Sequence, residues 1–276
     1  MKTRITVILV VILTLSVALL LAACGDTTTS GAPATLTKLT VGASPAPHAE
    51  ILEFVKPALK EAGYDLEIIV FTDYVLPNTS LQAGELDANY FQHVPYLINF
   101  NKENGTDIAS AVEIHFEPLG IYAGRADDLS NVAIGAEIGV PADTTNEARA
   151  LQLLAAQGLI TLKEGVGLEA TPLDIVDNPK QLKFFESEAA LLPRVLKDVD
   201  FAVINGNYAI DADITDKILA AESSDSEGAQ RFCNIVAVKS GNENDPGVLA
   251  LIKALTTDET RQFILDTYGG YVVPVF

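Results

Sequence analysis

Short apolar runs alternate with segments of helical periodicity along most of the chain, and this alternation limits the folds open to it. In the first half of the body, predicted strands and helices follow one another at 39–43, 48–62, 66–71, 75–83, 86–90 and 95–104. After an extended stretch at 108–122, the alternation resumes and continues to residue 268. Strands and helices at this spacing indicate parallel βαβ units and open sheets covered by helices on both faces. We therefore predict an α/β fold.

The N-terminal segment has the pattern of an export signal. Residues 5–23 contain no charged side chain and follow Lys2 and Arg4, and the stretch ends in Leu21-Ala22-Ala23-Cys24. A basic start, an apolar middle and small residues before a break predict a signal peptide over residues 1–23. The Cys24 thiol would then carry the lipid, including palmitate, as the new N-terminus. The alternative is an uncleaved membrane anchor, because about 20 apolar residues can span a bilayer.

The chain beyond the signal peptide divides into a tether and a folded body, and the body is longer than a domain with a single hydrophobic core usually is. Residues 24–37 are rich in Thr, Ser, Gly, Ala and Pro, a composition typical of a flexible tether. Because single-core domains usually have about 100–200 residues, we predict two lobes. Residues 38–122 and 237–276 would form lobe I, and residues 123–236 would form lobe II.

Charge and cysteine content exclude several classes of partner. The chain has 18 Lys and Arg against 37 Asp and Glu, a formal charge of −19. An acidic surface repels phosphate backbones, so we expect no nucleic-acid partner, and it leaves the lipid as the membrane attachment. With Cys24 lipidated, Cys233 has no partner for a disulfide, and we expect it to be buried and inert.

Polar and aromatic residues cluster where predicted strands end. The clusters lie at 71–74, 89–96 and 204–208, and Asn146 and Arg149 lie in the first turns of a helix. For that helix, Thr144 and Glu147 predict a capping box with Thr144 as N-cap. Ligands of open α/β sheets bind at the carboxyl ends of strands, so this pattern favours an extracytoplasmic protein that closes around a small ligand.

At these segments the chain resembles the methionine-binding lipoproteins of ABC importers, the NlpA-type lipoproteins. The resemblance covers nearly all of the chain beyond Lys38, and Ala148 stands where many relatives have glycine. It implies a two-lobed, periplasmic-binding-protein-like fold of type II, with an open sheet flanked by helices in each lobe and a ligand cleft between them. The matching segments are VGASPAPHAEILE (41–53), FTDYVLPNTSLQAGELDANYFQHVPY (71–96), NEARAL (146–151), NPKQLKF (178–184), VDFAVINGNY (199–208) and the end at 270–276.

The resemblance also implies roles for individual residues. Arg149 would fork onto the ligand carboxylate, and Asn146 would assist at the positive end of its helix. Asn205 would hold the ammonium or the carboxylate, and Asn234 would be a further contact. The box around the thioether would consist of Tyr74, Phe91, His93 and Tyr96. Taken without the resemblance, an arginine such as Arg149 is most often a solvated helix charge, Asn205 and Asn207 could serve the turn after a strand, and the aromatic residues could belong to the core.

The function implied is capture of L-methionine and its delivery to an ABC permease driven by a cytoplasmic ATPase. We expect a monomer on the extracytoplasmic face of the cell membrane, with no cofactor. D-methionine, a methionine-containing dipeptide, another apolar amino acid and a surface role without transport stay open. We expect no catalytic residues, because no nucleophile motif is present, and no metal site, because His48, His93 and His115 lack ligand spacing.

Overall fold

This computed structural model describes residues 35–223 and 231–276. The strands of these residues form two mixed sheets and a two-stranded ribbon. The predicted signal peptide, Cys24 and most of the tether lie outside these residues. Residues Leu36–Phe276 form one compact unit. The strands are β1 (Thr37–Ala43), β2 (Tyr64–Val70), β3 (Ala88–His93), β4 (Ile108–Phe116), β5 (Gly120–Ala123), β6 (Glu137–Pro141), β7 (Thr161–Leu162), β8 (Ile175–Asp177), β9 (Lys183–Ser187), β10 (Phe201–Ile204), β11 (Ile218–Ala221), β12 (Asn234–Lys239) and β13 (Val273–Pro274).

Helices connect many of these strands and cover the sheets. The α-helices are α1 (Glu50–Glu61), α2 (Leu76–Ala83), α3 (Val94–Asn104), α4 (Thr144–Ala156), α5 (Leu192–Val195), α6 (Gly206–Asp211), α7 (Pro246–Leu255) and α8 (Asp258–Tyr268). The predicted helix at 189–196 is wrong as one element, because short 3-10 turns stand on either side of the four-residue α5. Pro193 lies in the first turn of α5, where proline is tolerated.

Strand pairing in both sheets is mixed rather than wholly parallel. The first sheet has the order β13–β4–β12–β3–β1–β2, and β1 pairs in parallel with β2 and β3 as predicted. However, β12 runs antiparallel to β3 and β4. The second sheet has the order β11–β5–β10–β6–β9, with β5 antiparallel to both of its neighbours. The α/β class is confirmed, with antiparallel pairs in both sheets beside the parallel ones.

The chain crosses from the first sheet to the second at residues 117–119 and returns before Asn234. The stretch predicted as extended at 108–122 divides here, since β4 pairs in the first sheet and β5 in the second. Residues 120–122 therefore pair with the second sheet, and residues 234–236 pair with the first. The lobe limits at 122/123 and 236/237 stay a prediction.

The start of α4 differs from the prediction in a way that affects the site. The N-cap is Asp143, whose side chain accepts a hydrogen bond from the Asn146 backbone N–H at 3.0 Å. The predicted capping box of Thr144 and Glu147 is wrong. A carboxylate at this position satisfies a free N–H and meets the positive end of the helix.

Each sheet has its own apolar core. In the first, α1 places Ile51, Leu52 and Leu59 in the core that also holds Val41 of β1. In the second, Leu151 and Leu154 of α4 belong to the core that also contains residues of β6 and β10. Apolar side chains at alternate strand positions and at helical spacing face these cores. The polar residues at the strand ends lie outside the cores and are available to line the cleft.

Two further expectations concern Cys233 and the membrane. Cys233 is free and buried, and burial, with Glu113 nearby, raises the pKa of its thiol to about 11. Such a thiol is inert at neutral pH. None of the helices within residues 35–223 and 231–276 has the length and apolar character needed to cross a bilayer.

Helix α7 offers a matched test of the first core. Leu251 is fully buried, whereas Leu249 is 47% exposed in the same helix. Leu251→Ala should lower the free energy of unfolding by about 2–5 kcal/mol through lost burial and a cavity. Leu249→Ala should change it by less than about 1 kcal/mol. Urea denaturation measures both, and equal losses would contradict the assignment of Leu251 to the core.

Candidate ligand-binding site

One cavity brings together all eight residues that the sequence predicts as ligand contacts. The space between its walls that no atom fills is about 340 Å³, including the opening to solvent. Its walls come from residues attached to both sheets. The predicted residues that line it are Tyr74, Phe91, His93, Tyr96, Asn146, Arg149, Asn205 and Asn234, and the lining also includes Gln92, Glu117, Gly206 and Asn207.

Three aromatic rings form one wall. Tyr74 lies 5.9 Å from Phe91 and 5.7 Å from Tyr96 between ring centroids, and Phe91 and Tyr96 are 6.1 Å apart. The Tyr96 hydroxyl donates to the Tyr74 carbonyl at 2.8 Å, which joins α3 to the segment after β2. Burial raises the pKa of Tyr74, so its phenol stays protonated. The wall is apolar and uncharged.

His93 is a neutral imidazole held at both nitrogens. His93 is the N-cap of α3, and its Nδ1 accepts a hydrogen bond from the Tyr96 backbone N–H at 3.1 Å. The proton of the neutral ring is therefore on Nε2. Nε2 donates to Asn146 Oδ1 at 3.1 Å. Burial, followed by the nearby charge of Arg149, lowers the pKa of His93 to about 3. His93 is therefore an uncharged donor that orients Asn146.

Asn146 joins residues from the two sheets, and its side-chain polar atoms already have protein partners. Its Oδ1 accepts from His93 and from Asn205 Nδ2, the latter at 2.9 Å. Its Nδ2 donates to the Asp143 carboxylate at 2.9 Å. In this geometry, Asn146 positions its two neighbours.

Two buried amide atoms at the start of α6 have no partner among the described residues. They are Asn205 Oδ1, an acceptor, and Asn207 Nδ2, a donor, and both side chains line the cavity. Each amide is oriented from its other end, since Asn205 donates to Asn146 and Asn207 accepts from the Tyr74 hydroxyl at 2.6 Å. An unpaired buried polar group costs about 1–3 kcal/mol. The pair is therefore suited to a polar ligand with both a donor and an acceptor.

Arg149 is buried, and its fork faces a residue that the sequence analysis did not identify. Nε donates to Glu222 Oε1 at 2.8 Å, and Nη2 donates to Glu222 Oε2 at 2.5 Å and to the Glu117 carbonyl at 3.1 Å. The guanidinium carbon lies 4.1 Å from the centroid of the Phe232 ring. Nη1 has no hydrogen-bond partner within the described residues. The fork that the resemblance assigns to a ligand carboxylate is met by Glu222 in this structure, and the ligand contact of Arg149 stays a prediction.

Glu117 is a second site residue that was not predicted from the sequence, and it belongs to a buried network of hydrogen-bonded polar side chains. Its Oε1 accepts from His115 Nε2 at 2.6 Å and lies 3.4 Å from His48 Nε2. His115 Nδ1 is bonded to the Tyr90 hydroxyl, and His48 Nε2 donates to Asn234 Oδ1 at 2.9 Å. The two histidines and the carboxylate offer ligand atoms within 4.8 Å of one another, but these atoms already bond each other or Asn234.

Burial determines which side chains of this network are charged. It raises the pKa of Glu117, although His48 and Arg149 oppose the rise. It lowers the pKa of His48 to about 4, against the attraction of Glu117, and that of His115 to about 3. Both histidines are therefore neutral at neutral pH, and Glu117 is the acidic group on the cavity wall.

The other missed lining residues are Gln92, Gly206 and Asn207. Gln92 Nε2 donates to Asn78 Oδ1 at 2.7 Å, so Gln92 lines the cavity as part of a buried network of side-chain amides. At Gly206 an added Cβ would lie 2.8 Å from the Glu117 Cβ, so glycine allows that carboxylate to pack there. Asn207 lies in the polar cluster after β10, and Glu117 is, with Glu113, one of two acids in a largely apolar segment. These two patterns are visible in the sequence.

The buried imidazole of His93 predicts a pH effect. Below pH 6.5 the unfolded chain binds a proton there that the folded protein does not, so the contribution of neutral His93 to stability is complete above pH 6.5 and is lost towards pH 3. In His93→Gln, which keeps a donor for Asn146, the stability difference from the wild type should shrink by about 1 kcal/mol per pH unit below about pH 6. Urea unfolding at a series of pH values measures it. A difference independent of pH would contradict a neutral, buried His93.

A family model and several known proteins are similar to this chain over nearly all of its described residues. A family model described as NlpA lipoprotein matches residues 39–276. A lipoprotein structure from Ruminococcus gnavus is 51% identical with a TM-score of 0.85, covering 87% of this chain and 100% of that one. A nutrient binding protein from Burkholderia cenocepacia, solved bound to methionine, is 42% identical with a TM-score of 0.82, covering 86% and 100%. The methionine-binding lipoprotein MetQ of Bacillus subtilis is 38% identical, covering 92% and 93%.

Proposed function

Because this chain belongs to the NlpA lipoprotein family, we propose that it is a substrate-binding protein that captures L-methionine and delivers it to an ABC transporter permease. The observation that carries the proposal is the set of unpaired polar atoms in the cavity. Within the described residues, Asn205 Oδ1 is a buried acceptor without a partner and Asn207 Nδ2 is a buried donor without one, and both line the cavity. Arg149 lines it too, and its hydrogen bonds to described residues use Nε and Nη2, which leaves Nη1 as a donor. An amino acid has the matching ammonium and carboxylate.

The two ends of the amino acid would be held by different residues. The ammonium would donate to Asn205 Oδ1 and to the Glu117 carboxylate, since both line the cavity. The carboxylate would accept from Arg149 Nη1 and Asn207 Nδ2. Fixed polar partners of this kind are needed because a zwitterion loses its water on entering the cleft. His93, Asn146 and Asn234 would keep these partners in place.

The side chain of the ligand would lie against Tyr74, Phe91 and Tyr96. A thioether is apolar and polarizable, and sulfur gains about 0.3–1.5 kcal/mol beside an aromatic ring. The three rings contact one another, with centroids 5.7–6.1 Å apart, and so offer a continuous apolar surface to an unbranched chain. This wall favours methionine over a charged or bulky side chain.

The remaining parts of the proposal concern location and delivery. Lipid on Cys24 and the tether to residue 37 would keep a monomer at the extracytoplasmic face of the membrane, close to its permease. Such linkage raises the effective concentration without a new contact. The two lobes would close about residues 117–119 and the return before Asn234, and a separate cytoplasmic subunit would hydrolyse ATP. No covalent chemistry is part of this role.

Arg149 provides the main test. Arg149→Ala should weaken methionine binding by about 2–5 kcal/mol, as expected when one partner of a buried charge pair is removed. Arg125 is a matched control, because it also forms a two-point pair, with Asp200 at 3.2 and 3.1 Å, but is 49% exposed and outside the cavity. Isothermal titration calorimetry measures both variants. Undiminished binding by Arg149→Ala would remove Arg149 from the site.

The ligand itself is tested with close analogues. Norleucine, which replaces the sulfur by a methylene, should bind about 0.3–1.5 kcal/mol more weakly than methionine if the sulfur contacts the rings. The alternatives are D-methionine, a methionine-containing dipeptide and other apolar amino acids, and competition calorimetry ranks them. Tighter binding of one of these would replace L-methionine as the ligand. Failure of all of them to bind would favour a surface lipoprotein without a transport role.

A further inference from the structure

Glu222 is the carboxylate that meets the fork of Arg149, and it is not among the described residues that line the cavity. It occupies the edge of the guanidinium formed by Nε and Nη2, while the Glu117 carbonyl takes the other hydrogen of Nη2. The Phe232 ring covers one face. Arg149 is thereby fixed in one orientation, with Nη1 as the group left for a ligand.

Glu222 is itself held by two hydrogen bonds to Leu119. It follows β11 directly, and its backbone N–H donates to the Leu119 carbonyl at 3.1 Å. Its Oε2 accepts from the Leu119 backbone N–H, also at 3.1 Å. Leu119 precedes β5, the strand that pairs with β11, so Glu222 is attached to the second sheet at two points, through its backbone N–H and through its carboxylate. This attachment does not depend on a ligand.

We propose that Glu222 is a positioning residue for the ligand carboxylate and that it selects for ligands with no net charge. The inference rests on the proposed function. Glu222 holds the guanidinium so that Nη1 faces the carboxylate, and its negative charge balances the positive charge of Arg149. A carboxylate that enters beside this balanced pair gains little net attraction, and the Glu222 charge repels it. It binds well when the same molecule also brings an ammonium to Asn205 and Glu117.

This charge balance predicts a specific preference among ligands. A zwitterionic amino acid satisfies both ends of the cavity, whereas an N-acylated amino acid is an anion without an ammonium. The wild-type protein should therefore bind methionine far more tightly than N-acetylmethionine. Removing the charge of Glu222 leaves Arg149 positive, so the anion should gain relative to the zwitterion.

The experiment compares wild type and Glu222→Gln by calorimetry with methionine and N-acetylmethionine. Glutamine keeps the shape and an acceptor for the Leu119 N–H but loses the charge. We expect methionine binding to weaken by about 10-fold as Arg149 loses its fixed orientation, and the preference for methionine over N-acetylmethionine to fall by at least about 10-fold. A merely structural role would weaken both ligands equally and leave the preference unchanged.

Asp200→Asn is the matched control, because it removes the charge of another two-point arginine pair in the second sheet. It should leave both affinities unchanged. If Glu222→Gln does not fold, Glu222→Asp keeps the charge but shortens the reach to Arg149, so it should weaken methionine binding with an unchanged preference. Methionine binding of wild-type strength in that variant would overturn the positioning role.

The outcomes separate the two proposals. A wild-type protein that binds neither ligand overturns the proposed function and this role of Glu222 together. A wild-type protein that binds methionine, beside a Glu222→Gln variant with unchanged affinity and preference, overturns only the role of Glu222.

Discussion

A buried positive charge has to be met by polar partners, and the guanidinium of Arg149 is the charge around which the cleft is organised. Its partners come from both places where the chain passes between the sheets. The Glu117 carbonyl belongs to the first crossing, and Phe232 belongs to the return. Glu222 stands at the end of β11, just before that return. The geometry of the cavity wall and the route of the chain therefore depend on the same side chain.

The rest of the cleft is built from neutral groups that hold one another. Burial keeps His93 uncharged, and this imidazole orients Asn146, which in turn orients Asn205. From the other side, the Tyr74 hydroxyl orients Asn207. The result is an acceptor and a donor fixed before any ligand arrives. Preorganised groups of this kind reduce the entropy that binding must overcome.

Much of the architecture could be predicted because the periodicity is local. Strands β1–β3 and helices α1, α7 and α8 lie within a few residues of their predicted positions. The errors are of two kinds. The Asp143 cap and the short turns around α5 depend on individual side chains, whereas the antiparallel β5 and β12 depend on where the chain crosses between sheets. Only the first kind could have been found by a closer look at the sequence.

The sequence by itself determined the α/β class, the likeness to the NlpA lipoproteins and, through that likeness, eight of the twelve residues that line the cavity, because strand ends and motifs are properties of neighbouring residues. Only the tertiary structure decided which partner each side chain has. It places Glu222 on the fork of Arg149, 73 positions away, and Glu117 between His115 and His48. The pairings of Arg149 with Glu222 and of Glu117 with His48 join residues that are distant in the chain. Burial sets the charge of each group, and among the described residues Asn205 Oδ1 and Asn207 Nδ2 are buried without a partner.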